Sequence, residues 1–516
     1  MTWMGRRLDI VSLHIESSSP IMPHISGVYL TTPAVGALAV TLGVVVYYAV
    51  LSTYRLFFHP LARYPGPKLA AISDLWWVWA LSTERLPFIV RDLHKKHGDV
   101  IRIGPNELSF VTAEAFQEIH GHVSKGKARF TKTEFYDNDD PTPRIASARD
   151  PEVHARQRKA LSHAFSAKSL REQEEIVQKY VNGFMDQLLK IGEGGKKAIN
   201  MSLTFNWLTF DVIGDLSFGE PFGGVEKGET HMWVKILLNS VFQAQTTFLR
   251  KKLPALNFIL PYLMPKGAGS NLKQHRAFSR EQSEKRIKLG DTGRADFFSH
   301  MLKRNTMSVK EMMSQTSTLI IAGSETTATS LSATTWFLLN NADCMARLQA
   351  EVRGAFMSVD EITSDSTAEL PYLHGVIEES LRLFPPVAFG LPRYAPGGMV
   401  DGHYVPEGTV VSVSVLSMPR DPRFWKDPES FRPERWVGEG FNDEKKASQP
   451  FSMGPRSCLG INLAYVEMRL ALAKLVWLYN WELAVRPQDD WVESAKMHIL
   501  WKKADLWVKY HPRIAA

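Results

Sequence analysis

The chain contains very little cysteine, two residues in 516. Small domains stabilised by disulfides need a much higher density of paired cysteines, so that class of protein is excluded. Glycine and proline, 34 and 29 residues, occur at ordinary frequency, which excludes collagen-like and low-complexity chains. Hydrophobic residues make up 44%, so the chain can bury a large core without covalent links. Cys344 and Cys458 therefore each need a separate explanation.

The sequence also lacks a strong excess of charge of one sign. Lysine and arginine number 61 against 54 acidic residues, a net charge of +7. The chain has no zinc-finger spacing, no dense basic block and no aromatic motif of the ribonucleoprotein type, so we expect no nucleic-acid partner. A mild positive charge is compatible with an ordinary soluble surface or with one that meets anionic lipid or an acidic protein.

One segment near the N-terminus lacks charge altogether. Residues 25–54 contain no Asp, Glu, Lys or Arg, and residues 34–51 read AVGALAVTLGVVVYYAVL. About 20 apolar residues cross a bilayer as a helix, so the segment predicts a transmembrane anchor. A cleaved signal peptide is the alternative. The run begins late, is long and has no clear small-residue cleavage site before the next charges, all of which favour an uncleaved anchor.

Flanking charge predicts the orientation and the domains. Arg55, Arg63 and Lys68 follow the span without an intervening acid, so the positive-inside rule places the C-terminal part in the cytosol. Residues 1–24 would form a short lumenal tail and residues 25–54 the anchor. Residues 55–68 contain three prolines and predict a stiff spacer. Residues 69–516 would form one catalytic domain.

Beyond the spacer the pattern predicts a mainly α-helical fold with small β-sheets. Asp150 followed by a proline predicts a helix start, and a capping box of Ser308 and Glu311 predicts another. The predicted helices are 151–165, 309–340, 372–383 and 461–478. The predicted strands are 100–103, 107–111, 400–405 and 409–415, with a C-terminal hairpin of 497–501 and 504–510 that turns at Lys502 and Lys503.

The most informative segment is residues 451–460 (FSMGPRSCLG), directly before the predicted helix 461–478. Its glycines allow a tight backbone, and Arg456 supplies a cation close to Cys458. Amide groups at a helix start can point at a thiolate and lower its pKa. The pattern therefore predicts an anionic sulfur held in a loop. The alternative is an inert buried thiol, which is what we expect of Cys344.

Two further motifs carry little information when each is taken alone. Residues 379–382 (ESLR) place Glu379 and Arg382 on one helix face, where they can form an ordinary ion pair. Residues 322–327 (AGSETT) place Glu325 and Thr326 in the middle of an apolar helix, although Gly and paired Thr are poor helix formers. Polar packing between helices would also account for them.

Taken in their order along the chain, residues 322–327, 379–382 and 451–460 resemble three motifs of the cytochrome P450 family. The resemblance covers nearly the whole chain. It implies the P450 fold, with haem between a long central helix and the helix that follows the cysteine loop. The implied cofactor is haem b (iron protoporphyrin IX), with Cys458 as the axial ligand of its iron. Phe451, Gly454 and Gly460 would shape the haem-binding loop.

The resemblance also implies roles for other residues. Arg456, Arg393 and Arg158 would bind the haem propionates. His154 would add a contact one turn before Arg158. Glu325 and Thr326 would relay protons to dioxygen. A structural triad would lock the core beside the haem; its members are Glu379, Arg382 and Arg435. Pro419 stands where relatives commonly have another residue, so no haem contact is assigned there.

The implied activity is that of a haem-thiolate monooxygenase, which inserts one oxygen atom from O2 into an apolar small molecule by hydroxylation or epoxidation. The sequence looks most like filamentous-fungal members that act on terpenoids, polyketides or alkaloids in secondary metabolism. It lacks a dinucleotide-binding fingerprint, so electrons would come from a separate NADPH–cytochrome P450 reductase, with cytochrome b5 as a second candidate donor. The implied location is the endoplasmic reticulum membrane.

Two other functions stay open at this point. One is a haem-thiolate isomerase or dehydratase that acts without O2, and the other is a non-catalytic haem-binding protein. The walls of a substrate pocket are also open. Residues of this kind are more often plain core than pocket wall; the candidates are Phe205, Phe242, Phe248, Phe389 and Leu500.

Overall fold

The computed structural model describes residues 32–123, 128–137, 142–255, 257–258, 270–290, 293–294, 296–304, 306–486 and 490–513. The chain divides into two compact units, Met1–Tyr54 and Arg55–Ala516. In the first unit the described element is helix α1 (Thr32–Thr53). The stretch Val35–Phe58 has a mean hydropathy of 2.1 and no buried share, so it is long and apolar enough to cross a membrane. The predicted tail 1–24 lies outside the described residues.

The second unit is mainly helical, as the sequence predicts. Its helices are α2 (Lys68–Ile72), α3 (Leu75–Ser82), α4 (Leu86–His97), α5 (Ala113–His120), α6 (Pro151–Ser162), α7 (Ala167–Ile191), α8 (Met201–Phe218), α9 (Gly224–Lys227), α10 (Met232–Lys252), α11 (Ser270–Leu289), α12 (Phe297–Arg304), α13 (Val309–Asn340), α14 (Ala342–Ala355), α15 (Ser364–Ala368), α16 (Pro371–Leu383) and α17 (Ile461–Leu478). The predicted helices at 151, 309, 372 and 461 are confirmed as α6, α13, α16 and α17.

The strands are short and form small sheets. They are β1 (Val100–Gly104), β2 (Glu107–Phe110), β3 (Thr131–Lys132), β4 (Ile199–Asn200), β5 (Arg393–Tyr394), β6 (Gly398–Val400), β7 (His403–Val405), β8 (Val410–Val413), β9 (Tyr479–Leu483), β10 (Lys496–Met497), β11 (Trp501–Lys502) and β12 (Trp507–Pro512). The largest sheet has the order β1-β2-β8-β5-β3, in which β2 and β8 are parallel. A second hydrophobic core packs under this sheet, beside the main core among the helices.

The predicted C-terminal hairpin is wrong in its pairing. Strand β10 pairs with β11, with Met497 opposite Trp501, so the chain turns before Lys502 and not at it. Strand β12 pairs instead with β9 and β4. The partner strand β9 is longer than β10 or β11 and lies outside the predicted hairpin. Pairing with such a strand cannot be recognised from local sequence.

The long helix α13 begins at the predicted capping box, in which Ser308 and Glu311 each bond the other's backbone amide. It then continues without interruption to Asn340, although residues 322–327 contain the poor helix formers Gly and paired Thr. Gly323 has a packing role there, because a Cβ atom would lie 2.7 Å from Cδ1 of Ile213 on α8. The glycine therefore allows these two helices to approach closely.

Candidate functional site

The cysteine loop has a compact backbone ahead of α17. Residues Gly454–Arg456 form one 3-10 turn, and the Cys458 amide donates to the Phe451 carbonyl at 2.8 Å. Gly454 has φ 69°, and a Cβ atom there would lie 2.3 Å from the carbonyl oxygen of His120. Glycine is therefore the residue that this position accommodates, and the loop presents the sulfur just before the first turn of α17.

The Cys458 side chain is exposed on one side and surrounded by protein on the others. This burial raises the pKa of its thiol, whereas the Gly460 amide and the charge of Arg158 act in the opposite direction. The predicted lowering of the pKa is wrong for the thiol by itself, because desolvation outweighs one amide and one cation. A metal ion that binds the sulfur removes the proton outright, so the raised pKa does not prevent ligation.

Basic side chains gather beside this loop. We call them the cation cluster; its members are Lys132, His154, Arg158, Arg393 and Arg456. Four of them are the basic residues nominated from the sequence, and their proximity shows in the electrostatic effect that the other four members exert on His154. Lys132 on β3 was missed, because nothing in its local sequence distinguishes it from a surface lysine.

Members of the cation cluster donate hydrogen bonds to uncharged oxygen atoms. Arg456 donates to two backbone carbonyls at 2.7 and 2.9 Å. Arg158 donates to the carbonyl and hydroxyl oxygens of Ser457 at 2.7 and 3.1 Å. Arg393 donates to a tyrosine hydroxyl, and Lys132 to a backbone carbonyl at 2.6 Å. Among the described residues, no carboxylate forms an ion pair with any of the five.

Burial and mutual repulsion make this concentration of positive charge unfavourable. Burial, with the charges of Arg456 and Arg393, lowers the pKa of Lys132 to about 6. Burial and the same two charges, among others, lower the pKa of His154 to about 3. Burial and then Arg393 lower the pKa of Arg456 itself to about 10. An anion placed between these groups would relieve the repulsion.

The predicted structural triad comes together in the core. Arg382 donates to both oxygens of Glu379 at 2.8 and 2.7 Å, and Arg435 donates to Oε1 at 3.1 Å. Arg435 also pairs with Asp443 at 2.8 Å. The three triad side chains have no exposed surface. The carbonyl of Pro419 accepts from Arg382 at 2.6 Å, so this departure from the family pattern still serves the triad.

The acid and the alcohol of α13 have different partners. Oε1 of Glu325 is bound by the ammonium of Lys503, and Oε2 is buried without a hydrogen-bond partner. The Thr326 hydroxyl donates to the Ala322 carbonyl at 2.6 Å. Ala322 is exposed and Thr326 half-buried in the middle of a helix that is otherwise largely buried.

Lys503 was assigned to a turn from its sequence, and its role was missed. No local signal marks it, because Lys503 lies just beyond β11 and its partner Glu325 is 178 residues away in the chain.

A cavity of about 540 Å³ lies between the large sheet and an aromatic cluster. The rings of Phe135 and Phe389 stack at 4.8 Å, and those of Phe135 and Phe248 meet edge to face at 5.1 Å. Trp77 adds a fourth ring, 5.9 Å from Phe248. Neither Cys458 nor any residue of α13 is among the described residues that line this cavity.

Two of the candidate pocket walls, Phe248 and Phe389, therefore line a cavity. Phe205 is fully buried against Phe184 and belongs to the core. Leu500 does not line this cavity. The side chain of Phe242 lies outside the described residues.

Comparison with known proteins assigns the family. A family model described as Cytochrome P450 matches residues 66–506. The chain is 41% identical to cytochrome P450 monooxygenase BOA3 of Botryotinia fuckeliana over 486 residues, which cover 92% of this chain and 95% of that protein. It is 41% identical to cytochrome P450 monooxygenase astJ of Aspergillus oryzae, covering 89% and 94%. The chain belongs to the cytochrome P450 family.

As a P450, the chain is a haem-thiolate monooxygenase with haem b as its cofactor. The described residues fit that group. They contain no cluster of three His, Cys, Asp or Glu side chains that could hold a bare ion, whereas a porphyrin supplies four ligands and needs one more from the protein. Cys458 offers an exposed thiol, and the cation cluster offers the charge that two propionates require.

Proposed function

We propose that Cys458 is the axial ligand of the haem iron in this P450. The observation that carries the proposal is the exposed thiol just before α17, beside a cation cluster with which no carboxylate of the described residues forms an ion pair. Cys344 is the other thiol, and it is buried with its sulfur 3.8 Å from the carbonyl of Phe431. Phe451, Gly454 and Gly460 then act through the backbone shape that presents Cys458.

Arg456, Arg393 and Arg158 hold the two propionate groups of the haem in this proposal, and Lys132 adds a fourth cation. Bound haem supplies the electron transfer and oxygen activation that the side chains of the chain cannot. His154 has a pKa of about 3, so its ring is neutral at physiological pH. It can therefore contribute a hydrogen bond or packing but no charge. Glu379, Arg382 and Arg435 hold the core next to the loop.

Glu325 and Thr326 move protons toward the dioxygen side of the haem. Cleavage of the O–O bond requires protons in a site that is otherwise kept dry. Thr326 is half-buried, with its hydroxyl donating to the Ala322 carbonyl, and Oε2 of Glu325 has a lone pair that no group of the described chain uses. Thr326 is thus suited to donate a proton to the reacting oxygen, and Glu325 to supply the next proton to Thr326.

The substrate in this proposal is an apolar small molecule, and the product is its hydroxylated or epoxidised form. The cavity of about 540 Å³ combines aromatic rings with charged side chains and, among the described residues, is lined by neither Cys458 nor α13, so the support for this substrate class is the resemblance of the sequence. A role in fungal secondary metabolism, on a terpenoid, polyketide or alkaloid, is supported by the resemblance of the sequence and by the fungal sources of its relatives.

The apolar stretch Val35–Phe58 supports a single-pass anchor, which we place in the endoplasmic reticulum membrane with residues 69–516 in the cytosol. Arg55, Arg63 and Lys68 after the span favour this orientation. A cytosolic catalytic domain would receive electrons from NADPH–cytochrome P450 reductase, with cytochrome b5 as a second candidate. Residues 25–54 act as the anchor and residues 55–68 as the spacer.

The decisive test is replacement of each cysteine in the full-length protein. Cys458→Ala is expected to abolish the thiolate-type absorption band of the reduced CO complex and all NADPH-dependent oxidation. Cys344→Ala is the matched control and should keep both. A Cys458→Ala protein with an unchanged CO band would refute the ligand assignment. Metabolite profiling of a deletion strain identifies the substrate, and product formation from it without NADPH would instead indicate an isomerase.

A further inference from the structure

An ion pair in the core connects the C-terminal segment to α13. Lys503 directly follows β11, and its side chain reaches inward to Oε1 of Glu325. The ammonium group also donates to the Thr329 hydroxyl at 3.0 Å. Only 4% of the Lys503 side chain and 5% of the Glu325 side chain are exposed. The neighbouring Lys502 is exposed, so of these two adjacent lysines Lys502 faces solvent and Lys503 faces α13.

A pair of this kind is not explained by stability. Removing two charges from water is costly, and their mutual attraction often does no more than offset that cost, so well-packed apolar residues would serve the fold as well. Losing only one partner is strongly unfavourable, because the remaining charge is buried and unpaired. The pair therefore points to a requirement for a carboxylate at this place in α13, with Lys503 as the group that makes it tolerable.

The two oxygens of Glu325 are not equivalent. Oε1 is held by Lys503 and lies 3.5 Å from the Thr329 hydroxyl, whereas Oε2 is buried without a partner. A carboxylate that is held through one oxygen keeps a fixed orientation and leaves the other oxygen to accept a proton. The next residue in the chain is Thr326, which is half-buried and whose hydroxyl donates to the Ala322 carbonyl.

We infer that Lys503 is a positioning residue for proton delivery: it fixes Glu325 through Oε1, so that Oε2 can accept a proton and pass it on toward Thr326. In each cycle the Glu325 carboxylate accepts one proton and releases one proton, so its own charge and oxidation state are unchanged at the end. This inference rests on the proposed role of Glu325. It adds a residue from the C-terminal segment that touches no reacting atom.

The test uses the full-length, haem-loaded protein with a P450 reductase and NADPH, and no added substrate. Reduction of O2 to water consumes two NADPH and two protons, whereas release of hydrogen peroxide consumes one of each. The ratio of peroxide released to NADPH oxidised therefore reports proton delivery. Lys503→Met is expected to raise this ratio at least twofold. Lys503→Arg should stay near the parent value because it retains a cation, and the matched control Lys502→Met should be unchanged.

A second readout is independent of turnover. Lys503→Met leaves a buried carboxylate without its partner, so the thermal midpoint of unfolding should fall by several degrees. Glu325→Gln combined with Lys503→Met removes both charges and should recover most of that loss. The double variant also provides a folded protein if Lys503→Met alone fails to fold, and its peroxide ratio should be as high as that of Glu325→Gln alone.

The outcomes separate the inference from the proposal beneath it. If Glu325→Gln raises the peroxide ratio and Lys503→Met does not, the positioning role is refuted and the role of Glu325 stands. If Glu325→Gln leaves the ratio unchanged, the role of Glu325 fails and the inference fails with it. If Lys503→Met lowers the midpoint but keeps the parent ratio, the pair is structural only.

Discussion

Two clusters of basic side chains lie in the same unit, and they differ in the groups that neutralise their charge. In the triad, Arg382 and Arg435 meet the carboxylates of Glu379 and Asp443 within 3.1 Å. In the cation cluster, Arg456 and its neighbours meet carbonyl and hydroxyl oxygens instead. Charge that is balanced within the chain needs no ligand, whereas charge left unbalanced is available to one.

The same contrast explains which pKa values are displaced. Lys132, His154 and Arg456 all have lowered pKa values, because burial and like charges act on them together. In the proposed function, haem propionates supply the negative charge that the cation cluster lacks. Four variants test whether the two clusters differ in this way.

The largest effect is expected from Glu379→Ala. The change leaves Arg382 and Arg435 without their shared carboxylate, and loss of one partner of a buried pair costs about 3–5 kcal/mol of folding free energy. We expect little folded, haem-loaded protein, measured as the free energy of unfolding and as the CO-binding fraction. Glu284→Ala is the matched control, since Glu284 pairs with Arg280 at 2.8 Å on the surface, and it should change neither.

Arg456→Met is expected to act in the opposite way. Removal of one cation should leave the haem-free protein as stable as before or more stable, because repulsion within the cluster falls. Loss of charge-assisted hydrogen bonds of about 1.5–3 kcal/mol should weaken haem retention by roughly tenfold to a hundredfold. Transfer of haem to an apo-globin acceptor measures this. Arg149→Met, which removes a partly exposed, ion-paired arginine, is the control. Destabilisation with unchanged haem retention would show that the cation cluster is structural.

The pH dependence of the haem-free protein is the third test. Lys132 has a pKa of about 6 in the folded chain against an ordinary 10.5, so between these values the unfolded chain binds more protons than the folded one. Stability of the haem-free protein should therefore rise with pH across that interval. The negative propionates of bound haem should return Lys132 to its protonated form, so haem binding at pH 8 should take up protons. Calorimetry in buffers of different ionisation heat measures this uptake. Lys132→Met should abolish both effects; a protein that shows neither before mutation would contradict the shift.

The smallest effect is expected from His154→Phe. The ring is neutral at physiological pH because its pKa is about 3, so its removal takes no charge from the cation cluster. Haem retention in the same transfer assay should stay within about twofold of the parent. A loss as large as that of Arg456→Met would mean that the ring is charged in the loaded protein and binds a propionate.

Local sequence predicted the elements whose ends are set by nearby residues. The capping box at Ser308 and the proline after Asp150 both mark the helix starts that the structure has. The pairing of Glu379 with Arg382 follows from helix geometry alone. The C-terminal hairpin was predicted wrongly because strand pairing depends on a competitor, β9, that lies elsewhere in the chain.

The site shows the same division. Cys458 and its glycine-rich loop are recognisable from residues 451–460 because their spacing is a local property. The raised pKa of the thiol was not predictable, since it depends on the protein that surrounds the loop. Lys132 was not predictable for a similar reason, because its neighbours Arg393 and Arg456 come from distant parts of the chain.

The sequence by itself determined the apolar N-terminal segment, the helical class, the haem-loop motif and the family, because each depends on composition or on short spacings. Only the tertiary structure decided which charges are balanced. It paired Glu379 with two arginines and brought Lys503 to Glu325, and among the described residues it formed no ion pair between a carboxylate and the cation cluster. The physical reason is that the electrostatic free energy of a buried charge depends on neighbours that folding brings together from remote positions.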